Sequence, residues 1–291
     1  MTAPIRRLPS DLPHLAIEER GALAIVRLDR AAKRNAVNDA LIQSLERFFE
    51  TPPGEAKAVV LAGAGEHFCA GLDLSEHEHR DAFGVMRHSQ MWHRVFEKIQ
   101  FGTLPVVTAM QGGVIGGGLE LAAATHVRVA DTTAFYALPE GQRGIFVGGG
   151  ATVRVGRIVG AGRLVEMMLT GRSYDAAEGQ RLGLSHYLVE SGAAFEKAVA
   201  LAERIAGNAM LSNYAVLNAI PRIEDMAMKD GLFTESLMAA LAQTGEEAGE
   251  RLRAFLERRS ERVRASPLPE GEVERRRRRL RVRGYALSGR A

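Results

Sequence analysis

The stretch that decides the fold is Pro105-Val-Val-Thr-Ala-Met-Gln-Gly-Gly-Val-Ile-Gly-Gly-Gly-Leu-Glu-Leu-Ala-Ala-Ala-Thr-His-Val-Arg-Val-Ala130. A short apolar strand (105–110) leads into a glycine-rich loop (112–118), a helix of small residues (119–125) and a second apolar strand (127–130). Continuously apolar strands are typical of a mostly parallel sheet that is buried on both faces. The order of strand, helix and strand predicts a βαβ unit within an α/β core.

The same alternation is found upstream of this stretch. Apolar patterns predict strands at 23–28 and 57–62, with helices at 39–50 and 81–101. Beyond Gly150 the pattern becomes almost wholly helical, with predicted helices at 151–159, 162–168, 175–182, 193–207, 209–219 and 230–257. The second part of the chain is therefore expected to be mainly helical.

The composition is that of an ordinary globular protein. Of the 291 residues, 46% are hydrophobic and 25% are charged, which excludes a generally disordered or fibrous chain. The single cysteine, Cys69, excludes an internal disulfide and a cysteine-based zinc cluster. No apolar run approaches the ~20 residues of a membrane span, and residues 1–20 lack the apolar core of a signal peptide. We therefore expect a cytoplasmic protein with no membrane partner.

The formal net charge of +3 is unevenly distributed along the chain. Residues 266–291 contain eight Arg and three Glu, so this segment carries +5 and the remaining residues carry about −2. An arginine run allows a nucleic-acid-binding function, whose phosphate contacts would be strongly salt-dependent. The run 275–283 has no interleaved aromatic residue, so a solvated tail is favoured over a nucleic-acid partner.

Two glycine-containing segments could bind a ligand through the backbone. Residues 66–74 directly follow a buried strand, where α/β proteins place their sites, and Gly71 permits a conformation that turns N–H groups outward. A tight turn is the simpler explanation of this segment taken alone. Gly116–Gly118 open a helix, so free N–H groups and the positive end of the helix dipole would face a bound group. Close packing of helix on strand is the alternative.

Glu120 and Glu140 are the candidate acid–base residues. Glu120 lies in the first turn of an apolar, alanine-rich helix, where burial would raise its pKa towards a value useful for proton transfer. A simple partner for the helix dipole is the alternative. Glu140 follows Pro139 on a loop. The two glutamates suggest a paired site, although their spacing does not by itself bring them together.

Other reactive groups fit less well. The histidines at 67, 77, 79, 88 and 93 match no metal-ligand spacing, so no metal is expected. Cys69 has no basic neighbour closer than His67 and is predicted to be a small buried residue rather than a nucleophile. The chain contains neither a G-x-S-x-G motif nor a standard phosphate-binding loop.

Six short strings, taken in order, resemble the crotonase (enoyl-CoA hydratase/isomerase) superfamily, and enoyl-CoA hydratase is the most similar branch. They are Lys33-Arg-Asn-Ala36, Phe68-Cys-Ala-Gly-Leu-Asp73, Gly116-Gly-Gly-Leu-Glu120, Pro139-Glu140, Leu169-Thr-Gly-Arg172 and Ala254-Phe-Leu-Glu-Arg-Arg259. The resemblance implies an α/β, crotonase-like (ClpP/crotonase) fold of repeated ββα units, with a C-terminal helical region that drives trimerisation. The expected divisions are the core (1–207), the helical region (208–262) and a flexible, arginine-rich tail (263–291).

The resemblance also implies chemistry on acyl-CoA thioesters. The N–H groups of Leu72 and Gly117 would polarise the thioester carbonyl and stabilise an enolate-like oxyanion. Glu120 and Glu140 would hold a water molecule that adds to C3 while a proton reaches C2, and which of them is the acid stays open. Enoyl-CoA hydratase, a hydro-lyase, is therefore expected. Enoyl-CoA isomerase and hydroxyacyl-CoA hydratase/lyase are the alternatives on the same scaffold, and retention of both glutamates favours the hydratase.

The substrate contacts implied by the resemblance lie at ten positions. They are Lys33, Arg34, Ala36, Ala70, Gly71, Asp73, Leu74, Gly116, Pro139 and Gly148. Arg34 could bind a CoA phosphate, because a guanidinium suits bidentate phosphate binding, and a solvated turn is the alternative for Lys33 and Arg34. Coenzyme A is part of the substrate, so no separate cofactor is expected. A homotrimer or homohexamer is the implied assembly.

Overall fold

The computed structural model describes residues 4–75 and 80–257, which contain ten strands and ten α-helices. The strands are β1 (Arg6–Arg7), β2 (Leu15–Arg20), β3 (Leu23–Leu28), β4 (Ala58–Gly63), β5 (Val106–Met110), β6 (Gly113–Ile115), β7 (Val127–Asp131), β8 (Phe135–Ala137), β9 (Tyr174–Asp175) and β10 (Tyr187–Val189). The helices are α1 (Asp39–Glu50), α2 (Ala82–Gln100), α3 (Gly117–Ala123), α4 (Ala151–Val159), α5 (Ala161–Thr170), α6 (Ala176–Leu182), α7 (Ala194–Ala206), α8 (Met210–Ile223), α9 (Met228–Gln243) and α10 (Glu246–Leu256).

The main sheet has seven strands in the order β1-β2-β3-β4-β5-β7-β10. The pairs β1–β2 and β2–β3 are antiparallel, and the pairs from β3 to β10 are parallel. A second sheet pairs β6 in parallel with β8 and β8 antiparallel with β9. The predicted α/β class and crotonase-like fold are confirmed by this topology and by similar solved structures.

The pleat of the main sheet directs alternate side chains into two apolar layers. On β4, Val59 and Leu61 join the larger core beneath α1 and α2, whereas Ala58, Val60 and Ala62 face the smaller core beneath α7. Every residue of β4 is buried, as expected for a strand covered on both faces. The continuously apolar sequence 58–62 therefore correctly indicated a central strand.

Three sequence-based predictions are corrected by the fold. The segment 112–118, expected to be a loop, contains β6, because its backbone pairs with β8 and with Cys69. The region after Gly150 is not almost wholly helical, since β10 pairs with β7 at the edge of the main sheet. The helix expected at 230–257 is two helices, α9 and α10. Strands β1, β2, β8 and β9 were not predicted.

The chain divides into two compact units, residues 1–245 and 246–291, and α10 is the described part of the second. The predicted boundary between a core at 1–207 and a helical region at 208–262 stays a prediction. The arginine-rich tail (263–291) lies outside the described residues. Within the described ranges, no helix combines the length and apolarity that a membrane crossing requires.

Candidate active site

Helix α3 carries Glu120 in its first turn, and the loop before α4 covers its carboxylate. Glu120 is 3% exposed, and its Oε1 accepts hydrogen bonds from the N–H groups of Gly149 (2.8 Å) and Ala151 (2.9 Å). A Cβ atom on Gly149 would lie 2.7 Å from Glu120 Oε2, so a side chain at this position would collide with the carboxylate. The glycine run 148–150 thus allows the loop to close over Glu120.

Burial raises the pKa of Glu120 to about 7, from an ordinary value of 4.5. The N–H of Ala151 opposes this rise, the negative charge of Glu140 adds to it, and the N–H of Gly149 and the charge of Arg154 oppose it further. The burial that the alanine-rich helix suggested is confirmed. A carboxyl group with a pKa near neutrality can both donate and accept a proton at physiological pH.

Glu140 lies beside the start of the same helix. It is 8% exposed, and burial raises the pKa of its carboxyl group. A Cβ atom on Gly116 would lie 2.5 Å from Glu140 Oε1, which shows how closely this carboxylate approaches the N-terminus of α3. Glu140 Oε2 is buried and has no hydrogen-bond partner in the described part of the chain. The fold therefore brings the two glutamates together and leaves one oxygen of the pair available to a ligand.

The loop after β4 lies against the segment that begins α3. The N–H of Cys69 donates to Gly113 O, and the N–H of Ile115 donates to Cys69 O, both at 3.0 Å. Gly71 has φ +85°, and a Cβ atom there would lie 2.7 Å from Ile115 O. Only glycine adopts this conformation at so close an approach without strain.

This contact brings the N–H groups of Leu72 and Gly117 close together. A Cβ atom on Gly117 would lie 3.5 Å from Leu72 N. Neither N–H group has a hydrogen-bond acceptor among residues 4–75 and 80–257. Gly117 is the first residue of α3, where backbone N–H groups lack intrahelical acceptors. Two adjacent free donors can together bind a developing oxyanion.

One face of α2 covers these groups through Trp92 and Ser89, neither of which was predicted to be a site residue. Trp92 is 4% exposed, and its ring lies 2.6 Å from the position of a Cβ atom on Gly117. Ser89 Oγ donates to Gly148 O at 2.6 Å. The sequence predicted a helix over 81–101, but the contacts of these two side chains with glycine backbone arise from tertiary packing.

The turn at 33–37 lies against the loop 70–73, as three backbone hydrogen bonds show. Ala70 donates to Arg34 O (2.9 Å), Val37 to Gly71 O (2.7 Å) and Asp73 to Val37 O (2.9 Å). The expected substrate-contact residues therefore lie on two segments that pack against each other on either side of Leu72, namely Lys33, Arg34, Ala36, Ala70, Asp73 and Leu74. The exposed guanidinium of Arg34 has no partner among the described residues.

Asn35 holds this turn in place; it lies within the Lys33–Ala36 string, but no role was predicted for it. Its backbone has φ +55°, a conformation that asparagine tolerates better than most residues. The buried side chain accepts from Arg30 N (3.0 Å) and donates to Ala64 O and His67 O (both 2.8 Å). Asn35 thus joins the 33–37 turn to the loop that leaves β4.

Asp73 and Lys33 are engaged with Ser75. The Ser75 hydroxyl donates to Asp73 Oδ1 at 2.6 Å, and Lys33 Nζ donates to Ser75 Oγ at 2.7 Å. Hydrogen bonds from Ser75 and Arg30 hold the pKa of Asp73 below its ordinary value, despite burial. Asp73 therefore stays ionised and stabilises the loop next to Leu72.

Two other candidate chemistries receive no support from the described residues. Cys69 is fully buried, and burial raises its pKa to about 12, which confirms the prediction of an unreactive buried cysteine. Residues 4–75 and 80–257 contain no group of three or more His, Cys, Asp or Glu that could hold a metal ion. His77 and His79 lie outside the described residues.

The fold and the site together define a crotonase-fold protein, in which the N-terminus of α3 combines two buried glutamates with a pair of free backbone N–H groups. Residues 18–264 match the family described as enoyl-CoA hydratase/isomerase, and the chain belongs to this family. It is an enzyme that resembles the enoyl-CoA hydratases, which are hydro-lyases.

Named relatives and a solved structure are similar to this chain over more than four fifths of its length. The 2,3-dehydroadipyl-CoA hydratase of Escherichia coli is 30% identical over 86% of this chain and 98% of its own length. The mevalonyl-coenzyme A hydratase of Aspergillus fumigatus is 32% identical over 84% of this chain and 93% of its own length. A Rhodopseudomonas palustris structure assigned as an enoyl-CoA hydratase is 51% identical, with a TM-score of 0.83 over 87% of this chain and 98% of that one.

Proposed function

We propose that this enzyme adds water across the 2,3 double bond of a 2-enoyl-CoA thioester. The observation that carries the proposal is the arrangement along α3, which places a free N–H at Gly117 and a buried carboxylate at Glu120, one helical turn apart. A hydration next to a thioester needs both parts: donors for the oxyanion and groups that move protons at C2 and C3. The second N–H, of Leu72, and the second carboxylate, of Glu140, complete the set.

In the proposed reaction, the thioester oxygen accepts hydrogen bonds from Leu72 N–H and Gly117 N–H. The water oxygen forms a bond to C3 as one of its protons passes to a glutamate carboxylate. The π electrons of the double bond move towards the thioester oxygen, giving an enolate. A protonated glutamate then delivers a proton to C2, and the product is a 3-hydroxyacyl-CoA.

The electrostatics of the glutamate pair support these two proton transfers. The reaction needs one carboxylate and one carboxylic acid at the same time. Burial raises the pKa of both groups, and the negative charge of Glu140 raises the pKa of Glu120 further. Two interacting carboxyl groups titrate as a pair, so near neutral pH they can share a single proton.

The proposed coenzyme A site follows the 33–37 turn and the 70–74 loop, with Gly116, Pro139 and Gly148 beside the acyl group. The free guanidinium of Arg34 supplies positive charge for a phosphate at this surface. Coenzyme A enters as part of the substrate, and no other cofactor is proposed. We expect the enzyme to act in the cytoplasm, and no nucleic-acid partner is proposed.

A trimeric or hexameric assembly is proposed from the surface of α9. Met228, Leu232, Phe233 and Leu237 are 80%, 59%, 65% and 50% exposed in the single chain. Contiguous exposed apolar side chains of this size usually mark a protein interface. Covering them with copies of the same chain would bury this face.

The experiment that tests the proposed function is an assay of crotonyl-CoA with product identification. The enoyl-thioester absorbance should fall, and mass spectrometry should find a product heavier by one water molecule. A panel that includes 3-enoyl-CoA and aryl-hydroxyacyl-CoA thioesters separates hydration from isomerisation and from retro-aldol cleavage. If only one of the latter two reactions occurs, the proposed function is wrong.

A further inference from the structure

Arg154 lies in the first turn of α4, directly after the glycine loop that covers Glu120. Its side chain is partly buried and has two fixed contacts. The Nε atom donates to Gln100 Oε1 at 2.7 Å, and Nη1 donates to Gly149 O at 3.1 Å. Gln100 is the last residue of α2, so Arg154 connects the glycine loop to a long core helix.

The same glycine contacts both Arg154 and Glu120. Gly149 accepts a hydrogen bond from Arg154 through its C=O and donates one to Glu120 Oε1 through its N–H. A Cβ atom on the next residue, Gly150, would collide with Arg154 Nη1, and Gly150 has φ +103°. The loop conformation that allows the guanidinium to approach Gly149 is therefore one that favours glycine.

We propose that Arg154 is a positioning residue for Glu120: its guanidinium holds the Gly149 loop against the carboxylate and places a positive charge beside it. The role of this contact in turnover rests on the proposed hydration. The hydrogen bonds themselves do not depend on which reaction is catalysed.

The charges around the pair determine the direction of the expected effect. Glu120 faces the negative charge of Glu140 and the positive charge of Arg154, and Arg154 also interacts with Glu97 on α2. The positive charge of Arg154 lowers the pKa of Glu120, opposing burial and Glu140. Removing this charge should therefore raise the pKa of Glu120.

The test is a pH titration of the free enzyme by infrared spectroscopy, with the protonated Glu120 band assigned by its loss in Glu120→Gln. Arg154→Met should raise the pKa of Glu120 by up to about one unit. Arg154→Lys, which keeps the charge, should restore most of the wild-type value. In the crotonyl-CoA assay the Met variant should lose about tenfold in kcat with little change in KM, because a displaced carboxylate impairs the chemical step more than binding.

Two further variants keep the proposal testable. Arg157→Met removes a cation from the same helix, where it pairs with Asp225 at 2.6 Å, and should leave the pKa of Glu120 unchanged. Gln100→Leu removes one anchor of Arg154 and should raise that pKa by a smaller amount, even if Arg154→Met fails to fold.

The proposal is overturned if Arg154→Met and Gln100→Leu leave the pKa of Glu120 unchanged, or if Arg157→Met moves it equally. Because the infrared titration needs no turnover, it separates this inference from the proposed function. An inactive wild-type enzyme whose Glu120 responds to Arg154 would contradict only the hydration.

Discussion

The amide nitrogen of Leu72 lies 3.5 Å from the position that a Cβ atom on Gly117 would occupy. Two distant segments of the chain thus place two free N–H groups side by side. Gly117 also begins the helix that holds Glu120, so the oxyanion donors and the acid–base group share one rigid element. This connection makes the site sensitive to small displacements of α3.

Gly117→Ala should therefore impair catalysis strongly. The added methyl group would lie 2.6 Å from the Trp92 ring, so the helix start or the indole must move away from Leu72. Loss of one well-placed oxyanion donor costs about 10²–10³ in kcat, and we expect a decrease towards this range in crotonyl-CoA hydration.

Gly162→Ala is the matched control for this substitution. Gly162 lies in α5, and an added Cβ would have no heavy atom within 4 Å. This variant should keep wild-type activity. Equal activity of Gly117→Ala and Gly162→Ala would show that the N-terminus of α3 has no part in the reaction.

Ionisation of Glu120 should make the stability of the protein depend on pH. Its folded-state pKa is about 7, against 4.5 ordinarily, so between these values the folded state keeps a proton that the unfolded state releases. The free energy of unfolding therefore falls as pH rises through this window. Glu120→Gln removes the ionisation and retains a hydrogen-bond acceptor. The unfolding free energy of Glu120→Gln minus that of wild type should be about 3 kcal/mol larger at the upper end of the window than at the lower end.

Urea unfolding at both ends of the window measures this difference. The control is Glu166→Gln, because hydrogen bonds from Arg172 and Tyr174 lower the pKa of the half-exposed Glu166. The stability that the Glu166 carboxylate contributes is gained below pH 4.5, so the difference between Glu166→Gln and wild type should change little between the two ends of this window. A pH-independent difference between Glu120→Gln and wild type would contradict the raised pKa of Glu120.

Trp92 is the only tryptophan of the chain, so its fluorescence reports directly on the site. Its ring borders Gly117, and its buried Nε1 has no hydrogen-bond partner in the described part of the molecule. A bound thioester should change the surroundings of the indole, and a 3-hydroxyacyl-CoA should shift or quench the emission in a saturable manner. If calorimetry detects binding while the emission stays unchanged, the ligand binds elsewhere.

Local patterns in the sequence predicted the elements whose hydrophobic period is regular. Helix α1 was predicted with the bounds that the structure has, and the apolar runs of β4, β5 and β7 were recognised as buried strands. The short strand β6 was missed because its three residues are glycine and aliphatic residues in a turn-like context. Its partners, Cys69 and β8, are distant in sequence.

In the candidate site, too, local sequence predicted some residues, whereas others depend on contacts between segments that are distant in sequence. Glu120 and Glu140 were singled out because a carboxylate among alanines and glycines is unusual, but their proximity depends on the fold. Trp92, Ser89 and Arg154 reach the site through tertiary contacts with glycine backbone, for which the linear sequence carries no periodic signal.

Substitution in the apolar face of α9 should change the oligomeric state. Phe233→Glu places a charge where we expect a neighbouring subunit to pack, so mass photometry should find dissociation towards the monomer. Glu55→Lys, at an exposed loop position, should leave the assembly unchanged. A wild-type monomer, or an intact oligomer of Phe233→Glu, would contradict assembly through this face.

The most direct measurement for the central claim is the rate of crotonyl-CoA hydration by wild type, Glu120→Gln and Glu140→Gln at neutral pH. Each amide keeps the shape of the side chain but cannot carry the proton, and general acid–base catalysis by one group typically contributes about 10²–10⁴-fold. We predict that each variant loses activity in this range while still binding the 3-hydroxyacyl-CoA. Full activity of both variants beside an active wild type would contradict the assignment of these two glutamates to the reaction.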